Sequence, residues 1–295
     1  MIRIDSPTIY ISFASEALAD AKRLLRDYSS KFSRKDFIQP QLMTLAGMHQ
    51  RFRLKWRELE DLVTEMPRLR QVLGLKKSPD FSTVPKFLKR LPARVLDRFF
   101  GSGKCNLLGI DASGFSSTVA SPHYEKRCGK KRPYLKGSIA VDLGSLRIQA
   151  VKARRSHAHD SRDFWPLAKK CEFNVVVADK GYDDEKIHRK VHKAGADAII
   201  PVRDRERKRV NGRHRKRLAE GFDKKTYHQR SKVETVFSVV KRKLGEDVRS
   251  RSTNMQKKEL KVKLWAYNVD RRVILDSLHR LLRRCFGLGF QQSRF

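Results

Sequence analysis

The stretch "NLLGIDASGF", residues 106–115, runs through apolar residues to an aspartate and then through small ones, the pattern of a β-strand with an acid near its end. Two further β-like runs follow, "KGSIAVDLG" (136–144) and "LRIQAVKARR" (146–155), joined by a Leu-Gly-Ser turn. "DSRDFWPLAKKC" (160–171) reads as a helix capped by Asp160 or Ser161. "NVVVADKG" (174–181) is then a buried strand, "DDEKIHRKVHKAG" (183–195) a helix ending at Gly195, and "ADAIIPV" (196–202) another strand. Three meandering strands followed by helix, strand, helix and strand make a mixed α/β order.

That order resembles the ribonuclease H-like fold, which implies a mixed five-stranded sheet flanked by helices. Residues 101–295 are expected to form this domain, with helices at its C-terminal end. Residues 1–100 read instead as an all-α domain. "LKWRELEDLVTEMPRLRQVLGL" places Trp56, Leu59, Leu62, Val63 and Met66 at helical spacing and stops at Pro67. In "SPDFSTVPKFLKRLP", Ser82 or Thr83 is an expected N-cap with Pro85 in the first turn, and Lys86, Lys89 and Arg90 ride on that helix. Short helices ending in a basic one resemble a helix-turn-helix DNA reader; a plain helical domain with a solvated basic face is the competing reading.

The chain has 295 residues and a formal net charge of +35, an excess that repels itself unless a polyanion is the usual partner. Double-stranded DNA is the expected one. No apolar run approaches the ~20 residues needed to span a bilayer. Residues 1–18, with Asp5 and Glu16, make a poor signal peptide. Cys105, Cys128, Cys171 and Cys285 lie far apart without zinc-ligand spacing, which points to a reduced, cytoplasmic setting close to the nucleoid.

Function is most legible in "YHQRSKVETVFSVVKRK", residues 227–243. Between Lys224 and Gly245 stand seven Lys or Arg and one carboxylate, Glu234. On a continuous helix Tyr227, Arg230, Glu234 and Lys241 fall within about 60° of one another. Val233, Phe237, Val240 and Leu244 form the adjoining apolar arc. A surface pair of Glu234 with Arg230, worth only ~0.5 kcal/mol, accounts for the arginine but not for the whole stripe. Asp111 and Asp179 are isolated in the same way, each ending an apolar strand. Neighbouring strands and the helix would bring the three acids to one sheet edge. There they repel by ~4 kcal/mol per pair at 4 Å in an effective dielectric near 20, and divalent metal relieves this. Two Mg²⁺ ions, with Mn²⁺ as a substitute, would activate a nucleophile and stabilise the leaving oxygen of a phosphodiester.

Tyr227, Arg230, Glu234 and Lys241, at gaps of two, three and six residues, resemble the YREK signature of prokaryotic insertion-sequence DDE transposases. "GIDASGF" and "VVVADKGYDD" look like that group's two aspartate motifs. The resemblance spans roughly residues 105–275. It implies phosphodiester hydrolysis at the ends of an element and joining of the freed 3′-OH to target DNA. It also implies Asp111, Asp179 and Glu234 as catalytic metal ligands, with Asp111 bridging two ions. Tyr227, Arg230 and Lys241 would contact phosphates, and a homodimer would pair the two ends. Some members carry a long β-rich insertion before the glutamate, whereas here residues 203–221 read only as a basic loop.

Other residues receive lesser readings. Lys180, next to the second aspartate, is a further DNA-contact candidate, while Tyr182 reads as packing. Asp142 reads as a turn residue, and Asp183 and Asp184 as helix caps. His157 and His159 are weaker DNA candidates, and His123 with Cys128 a weak metal pair. The rival functions are a catalytically silent DNA-binding protein derived from a transposase and a structure-specific nuclease on the same fold. An RNA-binding protein would explain the charge but not the three acids.

Overall fold

A computed structural model describes residues 8–101, 103–117, 134–155, 159, 161–203 and 210–286. His123, Cys128, His157, Asp160 and the 204–209 part of the basic segment, all given readings above, lie outside the described residues. The chain divides into two compact units. One comprises residues 1–99, 243–245 and 262–295, and the other residues 100–242 and 246–261.

The first unit opens with α1 (Ile9–Leu24), α2 (Gln39–Phe52), α3 (Trp56–Glu65) and α4 (Pro67–Leu73). It continues with α5 (Thr83–Arg90), α6 (Ala93–Leu96) and a 3₁₀ turn at Asp97–Phe99. Pro67 starts α4 where a proline is tolerated, so Met66 ends one helix and precedes the next. Thr83 opens α5 as the sequence suggests, but the Ser82 hydroxyl donates to Asp80, 2.6 Å away, and does not cap the helix. Lys86, Lys89 and Arg90 are exposed on α5, while Val84, Phe87 and Leu88 are buried. Residues 262–286 of the C-terminal helix also fall in this unit, where the Trp265 indole N–H donates to Asp20 at 3.2 Å and Arg272 and Arg23 pair with the same carboxylate.

The second unit carries the sheet. Its strands are β1 (Lys104–Ser117), β2 (Leu135–Asp142), β3 (Arg147–Arg154), β4 (Glu172–Ala178) and β5 (Asp197–Ile199). They are ordered β3-β2-β1-β4-β5, with β1, β2 and β3 antiparallel in turn and β4 and β5 parallel to β1. This is a ribonuclease H-like arrangement. The expected five strands become six, because β6 (Asp247–Val248) pairs with Ser116 and Ser117 at the far end of β1. Two residues carry no periodicity for a sequence reading to detect.

Between β3 and β4 lies α7 (Ser161–Ala168), and between β4 and β5 lies α8 (Glu185–Lys193). Both cover one face of the sheet, where Leu108, Ile110, Ala140, Phe164, Val176 and Val191 share a core. Asp142 accepts from the backbone N–H groups of Gly144 and Ser145 and so closes the β2–β3 turn. Asp184 caps α8 through the Lys186 N–H at 2.8 Å.

Asp183 does not cap α8. It holds Arg215 through two hydrogen bonds of 2.6 and 2.7 Å and accepts from the Arg203 N–H. Nor are residues 203–221 only a loop, since Arg213–Glu220 form α9. Glu185 accepts from two first-turn N–H groups of that helix, at His214 and Arg215, and thereby supplies a cap no local residue offers. Burial pushes the Asp183 carboxyl upward, but the Arg215 and Arg203 hydrogen bonds outweigh it and hold the group below the usual range. A depressed carboxylate contributes stability that is present above its unfolded pKa, near 4, and is lost as pH falls through the folded value. Urea unfolding should therefore place Asp183→Asn about 2 kcal/mol below wild type at neutral pH, with the gap closing below about pH 4.

Candidate active site

Three elements of the second unit converge on Asp111. In the β1–β4 register Ile110 stands beside Ala178, so the next residue of each chain is an aspartate, Asp111 on one and Asp179 on the other. Parallel neighbours lie about 4.8 Å apart, which brings the two acids out at the same level of the sheet. Residues 109, 111, 113 and 115 face the side opposite the Leu108–Ile110 core, because successive side chains alternate.

Covering that side is α11 (Ser231–Leu244), which buries Val233, Val236, Phe237 and Val240. Phe237 lies 6.4 Å from Phe115, ring centre to ring centre. Val233 passes over Gly109, where an added Cβ would run into the valine and approach Leu143 Cδ2 to 2.7 Å. Gly109 thus lets the helix lie close to β1, and Arg230, just before the helix, reaches Asp111. The sequence signal was present in a glycine inside an otherwise apolar strand, two residues before the acid. Gly109→Ala should cost about 1–3 kcal/mol by overpacking. Calorimetry should show the lower melting temperature, and DNA cleavage should fall with it.

The helix expected to be continuous from Tyr227 is broken. Tyr227 lies on a separate five-residue helix, α10 (Lys224–His228), whose N-terminus Asp223 caps through Thr226. From there the backbone bonds tighten to a three-residue spacing: Arg230 N–H to Tyr227, Lys232 N–H to Gln229 and Val233 N–H to Arg230, each 2.9–3.0 Å. Straight-helix angles therefore hold for Glu234 and Lys241, both on α11, but not for Tyr227 or Arg230, which precede it. The phenol packs edge-on against Phe222, 5.5 Å away.

Arg230 stands between two of the acids. Its guanidinium is 2.8 Å from Glu234 and 3.6 Å from Asp111. Asp111 is half-buried and Glu234 exposed. Burial raises the Asp111 carboxyl above the usual aspartate range; the Ala112 N–H and Arg230 oppose this, while Glu234 and Asp179 reinforce it. A raised value means that acidification neutralises Asp111 at a higher pH than it would an exposed aspartate. Lys241 is near enough to Phe115 for a cation–π contact at 5.6 Å, and Lys180 is exposed in the 3₁₀ turn after Asp179. The Tyr182 ring is buried beside Phe164. His159 offers its carbonyl to Arg154.

The chain matches a family described as the transposase DDE domain over residues 107–269, more than half its length and inclusive of all three acids. The chain belongs to the DDE transposase family. Activity in that family depends on divalent metal. A solved structure of a piggyBac transposase synaptic complex with hairpin DNA is also similar, at 11% identity and a TM-score of 0.45, covering 98% of this chain and 81% of that one. No curated protein matches.

Asp111, Asp179 and Glu234 are oxygen groups of the kind a hard divalent cation takes, and two of them raise the carboxyl pKa of the third. As the side chains stand, no three His, Cys, Asp or Glu among the described residues are grouped tightly enough to hold an ion. The positive charge between Asp111 and Glu234 is instead Arg230.

Sequence reading missed a second polar group on the opposite sheet face. Asp163 of α7 is fully buried, paired with Lys152 at 3.1 Å and Arg154 at 3.0 Å, and receives the Ser138 hydroxyl at 3.0 Å. Burial and Arg154 lower the Lys136 ammonium pKa, against the pull of Asp163 and Asp111. Nothing in a helix-start aspartate distinguishes such a residue from a cap. Among the described residues, no helix is long and apolar enough to cross a membrane.

Proposed function

We propose that this chain is a transposase of the YREK group, from a prokaryotic insertion sequence. It cleaves phosphodiesters at the element's ends and joins the 3′-OH to target DNA. The observation that carries this reading is that Asp111 and Asp179 follow paired residues of adjacent strands, while one guanidinium lies between Asp111 and Glu234 of the overlying helix. Asp111, Asp179 and Glu234 hold two Mg²⁺ ions, for which Mn²⁺ substitutes. Bound there, such ions lower the pKa of water and neutralise charge on the leaving oxygen. Asp111, Asp179 just after β4 and Glu234 on α11 would be the residues that hold them. Arg230 gives up its carboxylate partners and turns to a phosphate, joined by Tyr227, Lys241 and Lys180. Lys86, Lys89 and Arg90 of α5 read the terminal repeats. Two copies pair the two ends, and the protein works on chromosomal DNA in the cytoplasm.

The test is a plasmid carrying the gene with its flanking DNA, incubated with the protein and Mg²⁺ or Mn²⁺. Metal-dependent breaks at fixed positions on both flanks are the expected result. Scattered breaks would indicate a nuclease, and binding without breaks a silent DNA-binding protein. Charge removal at Arg230 or Lys241 should weaken binding and shallow the salt dependence by about one unit per lost phosphate contact. An unchanged slope would take that residue off the list of phosphate contacts.

A further inference from the structure

The connection between α1 and α2 is a compact loop with no role in the site above. Its base is closed by the Gln39 N–H donating to the Asp27 carbonyl at 2.8 Å. At its tip Ser33 donates its N–H to the Ser30 carbonyl at 3.2 Å. The Ser33 hydroxyl lies 2.9 Å from that of Ser29 and accepts the Ser30 N–H at 3.1 Å. Lys31 and Phe32 occupy the two positions this turn pushes outward. Phe32 is 86% exposed, the most of any large apolar side chain among the described residues.

Loops closed in this way usually pack their own side chains inward. Tyr28 and Phe37 of the same loop are half-buried, with Lys35 4.1 Å from the Tyr28 ring centre and Lys77 5.9 Å from that of Phe37. Phe32 alone is held out, although burying such a ring is worth roughly 1.5–3 kcal/mol. The same loop carries Arg26, Lys31, Arg34 and Lys35, all exposed, against Asp27 and Asp36. Asp36 is itself paired with Lys77 at 3.0 Å. Lys31 lies 5.1 Å from the Phe32 ring centre. An aromatic ring on a hydrogen-bonded turn, set among cations, fits a base with a phosphate on either side. Phenylalanine wedges open base steps in duplexes, and aromatic rings stack on unpaired bases.

We propose that Phe32 is a DNA base contact, stacking on an opened base step while Lys31, Arg34 and Lys35 hold the neighbouring phosphates. This rests on the reading of the chain as a DNA-acting transposase and adds to it a contact outside the carboxylate centre.

The experiment compares the full chain, Phe32→Ala and Phe32→Trp on three short probes, each carrying one 2-aminopurine. The probes are a matched duplex, a duplex with one central mismatch, and a single strand. Binding should change the fluorescence for wild type and Phe32→Trp. Phe32→Ala should abolish that change and weaken binding about tenfold, the scale of one base–aromatic stack. A loss confined to the single strand identifies an unpaired base as the ligand, and a loss on the duplexes identifies a wedged step. Lys31→Ala with Arg34→Ala should shallow the salt dependence by about two units and keep the fluorescence change. Equal affinity and equal fluorescence for wild type and Phe32→Ala overturn the proposal and leave the transposase reading standing. Failure of wild type to bind any probe overturns both.

Discussion

Glu234→Gln is expected to leave DNA binding intact and to reduce metal-dependent strand cleavage by about a thousandfold or more. The change removes a carboxylate and no cation, so phosphate contacts made by Lys and Arg survive it. The amide cannot balance a divalent ion, and the charge stabilisation that ions bring to a phosphodiester transition state is worth several kcal/mol. At 1.36 kcal/mol per tenfold in rate, roughly 4 kcal/mol corresponds to about three orders of magnitude. The substitution should not unfold the protein, because Glu234 is exposed and its ion pair with Arg230 joins residues only four apart in the chain. Cleavage of end-bearing DNA with Mg²⁺ and with Mn²⁺, read beside a binding isotherm, separates the two effects. Cleavage near the wild-type rate would remove Glu234 from the metal ligands.

Asp163→Ala is the second large effect, and it falls on stability. The carboxylate is fully buried among Lys152, Arg154 and Ser138. Losing it leaves a half-buried lysine and a mostly buried arginine without their common counter-charge. Removing one member of a buried ion pair typically costs 3–5 kcal/mol, far more than the intact pair contributes over an apolar substitute. Denaturant unfolding should show a loss of about that size. Asp163→Asn should recover part of it, since the amide still accepts from Ser138 and Arg154. A loss below about 1 kcal/mol for Asp163→Ala would mean that water replaces the carboxylate around both cations.

How much of this was legible beforehand follows from the range of each signal. Apolar runs at 106–115, 136–144, 146–155, 174–181 and 196–202 announced five strands, because a strand's burial pattern is written within its own few residues. The order of elements then pointed to the sheet. Asp111 and Asp179 stood out because an acid at the end of an apolar run is costly without a partner. Glu234 stood out as one acid among seven cations.

What local pattern could not carry was the choice of partner. Asp183 reads as a helix cap in the sequence and Asp163 carries no signal of its own, yet Asp183 is claimed by arginines and Asp163 by a lysine and an arginine from other elements. β6 exists only through its pairing with the end of β1. The break between α10 and α11 follows from tightened backbone bonds at 227–233 rather than from a proline or glycine. Arg230 lies between Asp111 and Glu234 because β1 and α11, more than a hundred residues apart in sequence, pack through Gly109 and Val233. The sequence by itself determined the order of the elements and the isolated acids, since periodicity and local charge are properties of neighbouring residues. The tertiary structure alone decided which charges meet, because that depends on close approach between residues the chain keeps far apart.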